Sequence, residues 1–222
     1  ILSKLGWEPS KSDKHTDALL RTFTIAVLGR MNDDDVTDVA LAKYEKFLKQ
    51  PGSLSPDLTE TICSIAAWNG NTKTFDELKK LYTNAKTMEQ KLRFLGAMCG
   101  FQNKKLLLKT LNFSQTSNVR SQNMQLPIMK VAGNPHGDKV LWQWLNKNWK
   151  KINKKVGHGN PLFNRIVASI VGVADDSMEK EIKLFFKNNP TPGTERTQTQ
   201  TLERIRINSR FLRSMKKEFK HG

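Results

Sequence analysis

Residues that favour the start or the end of a helix recur along the whole chain, and their positions constrain the fold more than any other feature. Ser55-Pro56-Asp57, for example, places a capping serine before a proline at the first helical position, and Gly70 follows the apolar run. Between such signals the apolar residues come three or four positions apart, which is helical spacing. No segment shows the pattern of a β-hairpin or a βαβ unit. The sequence therefore predicts an all-α fold of about eleven helices joined by short loops.

The predicted helices pair off roughly every 35 to 40 residues, which is the spacing of helical-hairpin repeats. Similarity between successive pairs is weak. We therefore expect an irregular right-handed superhelical stack of antiparallel helical hairpins, HEAT- or armadillo-like, rather than an array of one defined repeat. The loop at Pro190 to Gly193 is short and flanked by helices, so we interpret residues 1–222 as a single α-helical repeat domain.

The segment from Asn134 to Lys155 predicts an amphipathic helix with a heavy aromatic face. One arc of its helical wheel holds Leu141, Trp142, Leu145, Trp149 and Ile152. The opposite arc holds Lys139, Lys147, Lys150, Lys154 and Lys155, while Trp144 falls at the edge beside Lys151. Two interpretations are open. The helix is either part of the structural scaffold, with its lysine face exposed to solvent, or a helix whose lysines carry function. The clean separation of the apolar residues from the lysines favours the scaffold interpretation.

The formal net charge of +16 permits nucleic acid, an anionic surface or an acidic substrate as a partner. The lysines, however, are scattered along the chain and interleaved with acidic residues. Proteins that bind nucleic-acid strands usually place aromatic stacking platforms among the basic groups. Here the tryptophans of the amphipathic helix segregate from its lysines. Nucleic acid is therefore disfavoured as a partner, and most of the lysines are expected to be solvated surface.

Cys63 and Cys99 each lie in an apolar helical pattern, with no CxxC motif and no histidine at zinc-site spacing. Two buried reduced thiols are expected, and they indicate a reducing compartment. No apolar run approaches the ~20 residues of a membrane span, so we expect no membrane partner. The chain begins abruptly on apolar residues, without Met and without a signal-peptide pattern, so we interpret it as a fragment of a longer chain.

The residues themselves give no sign of catalysis. The four histidines, His15, His136, His158 and His221, form no HExxH pair, and the chain contains no GxxxxGK[ST], GxGxxG or GxSxG motif. Acidic clusters such as Asp33 to Asp35 stand at helix starts, where capping and the helix dipole explain them. We expect neither a catalytic residue nor a metal site in this chain.

Several local patterns run in a fixed order from one end of the chain to the other. They are Leu5-Gly6-Trp7-Glu8 with His15 to Arg21, Ser55 to Leu58, Gly100-Phe101-Gln102, Val119 to Asn123, Asn134-Pro135-His136-Gly137 with Asn148-Trp149, Phe185-Phe186, Pro190-Thr191-Pro192, and Glu195-Arg196 with Gln200, Glu203, Ile205 and Asn208. Together they resemble the last helical region of M1-family zinc aminopeptidases, with the puromycin-sensitive and tricorn-interacting-factor branch most similar.

The resemblance implies a non-catalytic C-terminal domain of HEAT-like hairpins that closes as a bowl over a catalytic domain of the same polypeptide. In that family the zinc site, the substrate loop and the catalytic tyrosine belong to preceding domains. The parent protein would then remove N-terminal residues from peptides, with zinc as its cofactor, while this chain alone would have no activity. The chain would wall the substrate chamber, control access and contact the distal part of the peptide substrate.

The resemblance also points to three residues that would face the substrate: Glu195, Arg196 and Gln200. In the family, the turn before the last long helix approaches the active site, and that turn corresponds to the segment preceding these residues. Arg196 at a helix start is placed to meet a carboxylate. Alternatively, Arg196 ties the proline-rich loop to a neighbouring helix.

A different class of function also fits the composition. The chain would then be a stand-alone basic helical-repeat module that binds nucleic acid or an acidic protein. The similar branch of the family and the few cysteines predict a cytoplasmic location.

Overall fold

The computed structural model describes residues 1–10, 13–157, 160–173 and 178–219. Within these residues the chain forms twelve α-helices and four short 3₁₀ helices and no strand, which confirms the predicted all-α fold. The eleven expected helices are present, and a twelfth, one-turn helix stands at the N-terminus. The start signal expected at Asp175 to Ser177 lies outside the described residues.

The α-helices in chain order are α1 (Leu2–Leu5), α2 (His15–Arg30), α3 (Asp34–Lys49), α4 (Pro56–Trp68), α5 (Thr72–Asn84), α6 (Met88–Ala97), α7 (Lys104–Ser114), α8 (Gln125–Ala132), α9 (Asp138–Val156), α10 (Pro161–Ser169), α11 (Glu179–Asn188) and α12 (Glu195–Glu218). The 3₁₀ helices are Pro51–Ser53, Met98–Gly100, Ser121–Asn123 and Ile170–Val173.

Contacts between residues group the chain into two compact units, Ile1–Leu106 and Leu107–Gly222. The interpretation of residues 1–222 as one domain stays a prediction. Among the described helices, none has the length and apolar character needed to cross a bilayer.

Helix α4 forms the core of the first unit, where it packs against α2, α3 and α6. Its residues Leu58, Ile62, Cys63 and Ile65 are buried, as expected for a helix that is apolar on most sides. A side chain at Gly29 of α2 would collide with Ile65, so the glycine lets the two helices approach closely. Burial raises the pKa of the Cys63 thiol, which keeps it protonated and unreactive.

Helix α2 exposes apolar side chains and buries a charged one. Leu19 and Phe23 are exposed, whereas Arg21 and Ile25 are buried. The Arg21 guanidinium donates to the carbonyl oxygens of Leu5 (2.9 Å) and Gly6 (3.1 Å) and pairs with Asp13 at 2.6 Å. An ion pair with these extra hydrogen bonds satisfies the buried cation and fixes the N-terminal segment on α2.

The second unit is built around aromatic packing between α9, α10 and α11. The ring of Trp149 meets Phe163 and Phe185 edge-on at centroid distances of 5.0 and 4.9 Å, and Trp142 meets Phe185 at 5.2 Å. Edge-to-face pairs of this kind add to the free energy gained by burying the rings. The tryptophan face of α9 is therefore core, as the scaffold interpretation of this helix predicts.

Two residues of α9 were placed wrongly by the wheel. Trp144 is not at the edge but buried, and its Nε1 donates to Asn112 Oδ1 at 2.9 Å. Lys155 is not a solvated lysine: its Nζ lies 3.0–3.3 Å from the carbonyl oxygens of residues 114, 115, 116 and 119. Desolvation lowers the Lys155 pKa, while these four acceptors hold the ammonium group in place.

Candidate functional site

The turn between α11 and α12 is held by side chains that recognise its own backbone. Thr194 Oγ1 donates to the carbonyl oxygen of Thr191 at 2.8 Å, and both threonines are buried. Gly193 has φ +85°, a value that favours glycine, and its N–H donates to Glu195 Oε1 at 3.1 Å. The proline-rich segment is therefore a defined turn that fixes the start of α12.

A second set of contacts joins this turn to α10. Thr197 Oγ1 donates to Asn164 Oδ1 at 2.6 Å, and the Asn164 amide approaches the carbonyl oxygen of Gly193 at 3.4 Å. Thr201, one turn further along α12, is buried against α10 with its Oγ1 at 3.5 Å from the carbonyl oxygen of Val167. Nothing in the sequence indicated a role for Asn164, because Thr197, the residue that it contacts, lies 33 positions further along the chain.

The three predicted substrate-facing residues divide into two groups. Arg196 and Gln200 are exposed, stand four residues apart and so share one face of α12. Neither side chain makes a hydrogen bond or ion pair with any of the residues that the structure describes. Glu195 points elsewhere, toward Gly193 and the groove between α11 and α12. The turn is thus tied to its neighbour by Asn164 and Thr197, and the Arg196 guanidinium is accessible to a ligand.

The groove on the Glu195 side, called here the α11–α12 groove, has a volume of about 620 Å³. Its α11 wall is formed by Lys180, Lys183, Leu184 and Lys187. Its α12 wall is formed by Glu195, Gln198, Thr199 and Leu202. Each set follows positions i, i+3, i+4 and i+7, so each is one continuous helix face.

A zinc site requires three or four ligand side chains close together. Throughout the described part of the chain, no three His, Cys, Asp or Glu side chains gather as metal ligands would. The described residues therefore do not form a site for the zinc that the resemblance implies for a parent protein. What the turn and α12 offer is an exposed guanidinium, an amide and a groove.

Comparison with known proteins identifies the family. The model of the ERAP1-like C-terminal domain matches residues 1–207, nearly the whole chain. This chain belongs to the ERAP1-like C-terminal domain family. The match includes the turn, Glu195, Arg196, Gln200 and both walls of the groove, and it ends within α12.

This ERAP1-like domain is similar to several aminopeptidases. It is 30% identical over 225 residues to Aminopeptidase M1-C of Oryza sativa subsp. japonica, 28% identical over 221 residues to Aminopeptidase M1 of Arabidopsis thaliana, and 26% identical over 213 residues to Aminopeptidase 2 of Candida albicans. These matches cover 98%, 97% and 95% of the chain. The chain spans only about a quarter of the length of these relatives: 25%, 25% and 23%.

Proposed function

We propose that this chain is the non-catalytic C-terminal domain of a zinc metallo-aminopeptidase that removes N-terminal residues from peptides. The observation that carries the proposal is the pairing of a C-terminal-domain match over residues 1–207 with aminopeptidase relatives about four times as long as the chain. The catalytic domain would be its partner in the same polypeptide, and zinc would be held there. The parent protein would be cytoplasmic, which the buried thiols Cys63 and Cys99 support.

The role proposed for the domain is to wall the substrate chamber, control access and contact the distal part of the peptide. Arg196 and Gln200 would make that contact from α12. The support is local: the turn holds the helix start in one geometry, and the guanidinium and amide are exposed on one face. A side chain presented from a rigid element loses less freedom on binding than one on a mobile loop.

The first test is hydrolysis of an aminoacyl-arylamide by the 222-residue chain alone. We expect no turnover above the uncatalysed rate, because the acid, base and metal would all lie in another domain. Turnover at the rate of an aminopeptidase would refute the assignment.

The second test uses the parent polypeptide and two substrates of different length. Arg196→Ala is expected to raise KM for a long acidic peptide by about two- to fivefold, the value of one exposed charge pair, and to leave kcat and the aminoacyl-arylamide KM unchanged. Arg204→Ala, which removes an exposed arginine two turns further along α12, is the matched control. Equal effects of the two substitutions on the long peptide would remove Arg196 from the proposed site.

The alternative, a stand-alone module that binds nucleic acid, is distinguished by a filter-binding assay over a salt series. The alternative predicts micromolar affinity that falls steeply with salt as counterions are released. The burial of Trp142, Trp144 and Trp149 removes the stacking surface that α9 would have supplied. We therefore expect weak binding without base preference.

A further inference from the structure

One side of α2 is an apolar ridge that the described residues leave uncovered. This surface, called here the α2 ridge, consists of Leu19, Leu20, Phe23, Val27 and Met31. At 100° per residue the five side chains fall within an arc of about 120°. Their exposed fractions range from 38% to 73%. A single exposed apolar side chain is ordinary, but five on one helix face form a continuous patch of the kind that marks an interaction surface.

The α2 ridge carries no charge. Charged residues make up 26% of the chain, yet between Asp17 and Arg30 the sequence has only one, Arg21. Arg21 lies near the opposite side of the helix, where it is buried and paired with Asp13. Helices that bind anionic membrane surfaces place lysines and arginines beside their apolar residues. The ridge lacks such a border, so its complement is an uncharged apolar surface of a protein.

The other side of α2 already has its neighbours. Ile25 is buried there, and Gly29 lets α4 approach closely through Ile65. A helix packed between two neighbours is apolar on both sides, whereas a helix at the end of a helical array has a polar outer side. Helix α2 therefore has the character of an inner helix, with one of its two neighbours absent from the described residues.

The lengths of the similar proteins indicate where that neighbour comes from. The chain spans 25% of Aminopeptidase M1-C, and the family model that it matches is that of a C-terminal domain. The function proposed above therefore places a long stretch of polypeptide before residue 1. Ile1 is exposed and precedes α1, which contacts α2. Because a helix is about 10 Å wide, a connection of a few extended residues from Ile1 is enough to reach the ridge.

We propose that the segment of the parent polypeptide directly before Ile1 forms an amphipathic helix that packs on the α2 ridge. From Leu19 to Met31 the ridge is about 18 Å long, so a helix of about twelve residues, apolar at every third or fourth position, covers it. A second copy of this chain is a poorer occupant, because each copy carries a net charge of +16. The proposal rests on the proposed function, since it needs a parent polypeptide.

The first experiment measures maleimide labelling of Phe23→Cys in the 222-residue chain and in the parent polypeptide, with the labelled site located by mass spectrometry. Cys63 and Cys99 add little background, because both are buried. We expect labelling to be slower in the parent by about a hundredfold or more, because reaction there requires local opening. Lys80→Cys, at an exposed position of α5, is the control and should react equally in both. Val27→Cys repeats the test if Phe23→Cys does not fold.

The second experiment identifies the covering segment. A photoreactive benzoylphenylalanine takes the place of Phe23 in the parent polypeptide, and mass spectrometry locates the crosslink. We expect the crosslink within about 25 residues before residue 1, the length of the helix and its connection. A crosslink to another part of the parent, or equal labelling of Phe23→Cys in the parent and in the 222-residue chain, would overturn the proposal. Protection that rises with the concentration of the 222-residue chain would also overturn it, because a second copy would then be the occupant.

Hydrolysis of an aminoacyl-arylamide by the same parent samples separates this proposal from the one on which it rests. Hydrolysis together with a freely labelled Phe23→Cys would refute the docked helix and leave the proposed function standing. A protected Phe23→Cys and a crosslink before residue 1, in a parent that hydrolyses nothing, would support the docked helix and refute the proposed function.

Discussion

Helices α9 and α11 carry lysines at the same spacing, yet their surroundings differ. The lysines are Lys147, Lys150 and Lys154 on α9, and Lys180, Lys183 and Lys187 on α11. On α9 the aromatic face behind the lysines is wholly buried, with Trp149 2% exposed. On α11, Leu184 remains 56% exposed between its lysines. The same lysine spacing thus occurs both over a buried core face and beside an exposed apolar side chain, so the spacing alone does not tell the two surroundings apart.

Among the substitutions that test this comparison, Trp149→Ala should lower the free energy of unfolding the most. The ring is packed edge-on against Phe163 and Phe185, so its removal leaves a large cavity. We expect a loss of about 3–5 kcal/mol in the free energy of unfolding, measured by urea denaturation. Leu184→Ala on α11 should change it by less than about 0.5 kcal/mol, because the side chain is more than half exposed.

Trp149→Phe tests how much of this loss comes from the packing of the ring and how much from the polar indole N–H. Trp149 Nε1 is buried and has no hydrogen-bond partner among the described residues, so phenylalanine removes an unsatisfied donor while keeping part of the ring. We expect a loss below about 1.5 kcal/mol, the usual limit for a conservative core change. A loss at Leu184→Ala as large as that at Trp149→Ala would contradict the contrast between the two helices.

Lys155→Met should produce the next largest effect. The methionine retains most of the apolar stem, but it leaves the carbonyl oxygens of Ser114, Gln115, Thr116 and Val119 without their shared donor. We expect a loss of about 0.5–1.5 kcal/mol in the free energy of unfolding, the net value of a typical hydrogen bond, because the acceptors are only partly buried. Lys154→Met, one residue away on the exposed face, should be within about 0.5 kcal/mol of the unmodified chain. Equal effects would mean that Lys155 is ordinary surface.

Much of the fold could be predicted because helix ends are encoded locally. Asp33 accepts from the Val36 N–H at 3.0 Å, and Thr87 accepts from the Gln90 N–H at 3.2 Å, as their positions before apolar runs predict. Pro56 begins α4 as expected, but Ser55 is not the side-chain cap that its position predicted: its buried hydroxyl has no hydrogen-bond partner among the described residues. The single turn α1 was missed, because four residues carry too little periodicity to be recognised.

The parts that could not be predicted depend on partners far away in sequence. Lys155 binds carbonyl groups 36 to 41 positions earlier, and Trp144 bonds to Asn112, 32 positions earlier. A helical wheel shows which residues share a face but not what packs against it. The same limit applies to the candidate site: the family resemblance indicated Arg196 and Gln200, whereas the Asn164–Thr197 contact that holds their helix became visible only in the structure.

Glu179, at the start of α11, is expected to make a smaller, pH-dependent contribution to the stability of the folded state. The Arg206 guanidinium, hydrogen-bonded to Glu179 at 2.7 Å, holds the pKa of that carboxyl below its usual value, and Lys183 and Arg210 act in the same direction. A carboxyl whose pKa is lowered by folding stabilises the folded state above its unfolded pKa, and this contribution disappears as pH falls through the folded pKa.

Thermal unfolding of the chain and of Glu179→Gln at several pH values tests this contribution. Near pH 7 the unmodified chain should have the higher Tm, and the difference should vanish as the pH is lowered to about 3. Glu45→Gln, at an exposed glutamate for which no ion pair with the described residues is seen, is the control and should show no such pH-dependent difference. A Tm difference for Glu179→Gln that persisted at low pH would show that the glutamate acts through packing rather than charge.

The smallest predicted effect is a difference in size between equivalent substitutions in the two lysine ladders. Lys150 on α9 has Lys147 three residues before it and Lys154 four residues after it, so Lys150→Glu replaces like-charge contacts with favourable pairs. We expect a gain of about 0.3–0.5 kcal/mol in the free energy of unfolding. Lys183 on α11 has lysines at the same two positions, but it also lies near Glu179 and helps to hold it charged, so Lys183→Glu should gain less. Urea denaturation of both variants at low salt measures the two changes, and their difference should shrink as salt screens the exposed charges. If both substitutions gave the same gain, the two ladders would be electrostatically equivalent, and the exposed leucine alone would distinguish α11 from α9.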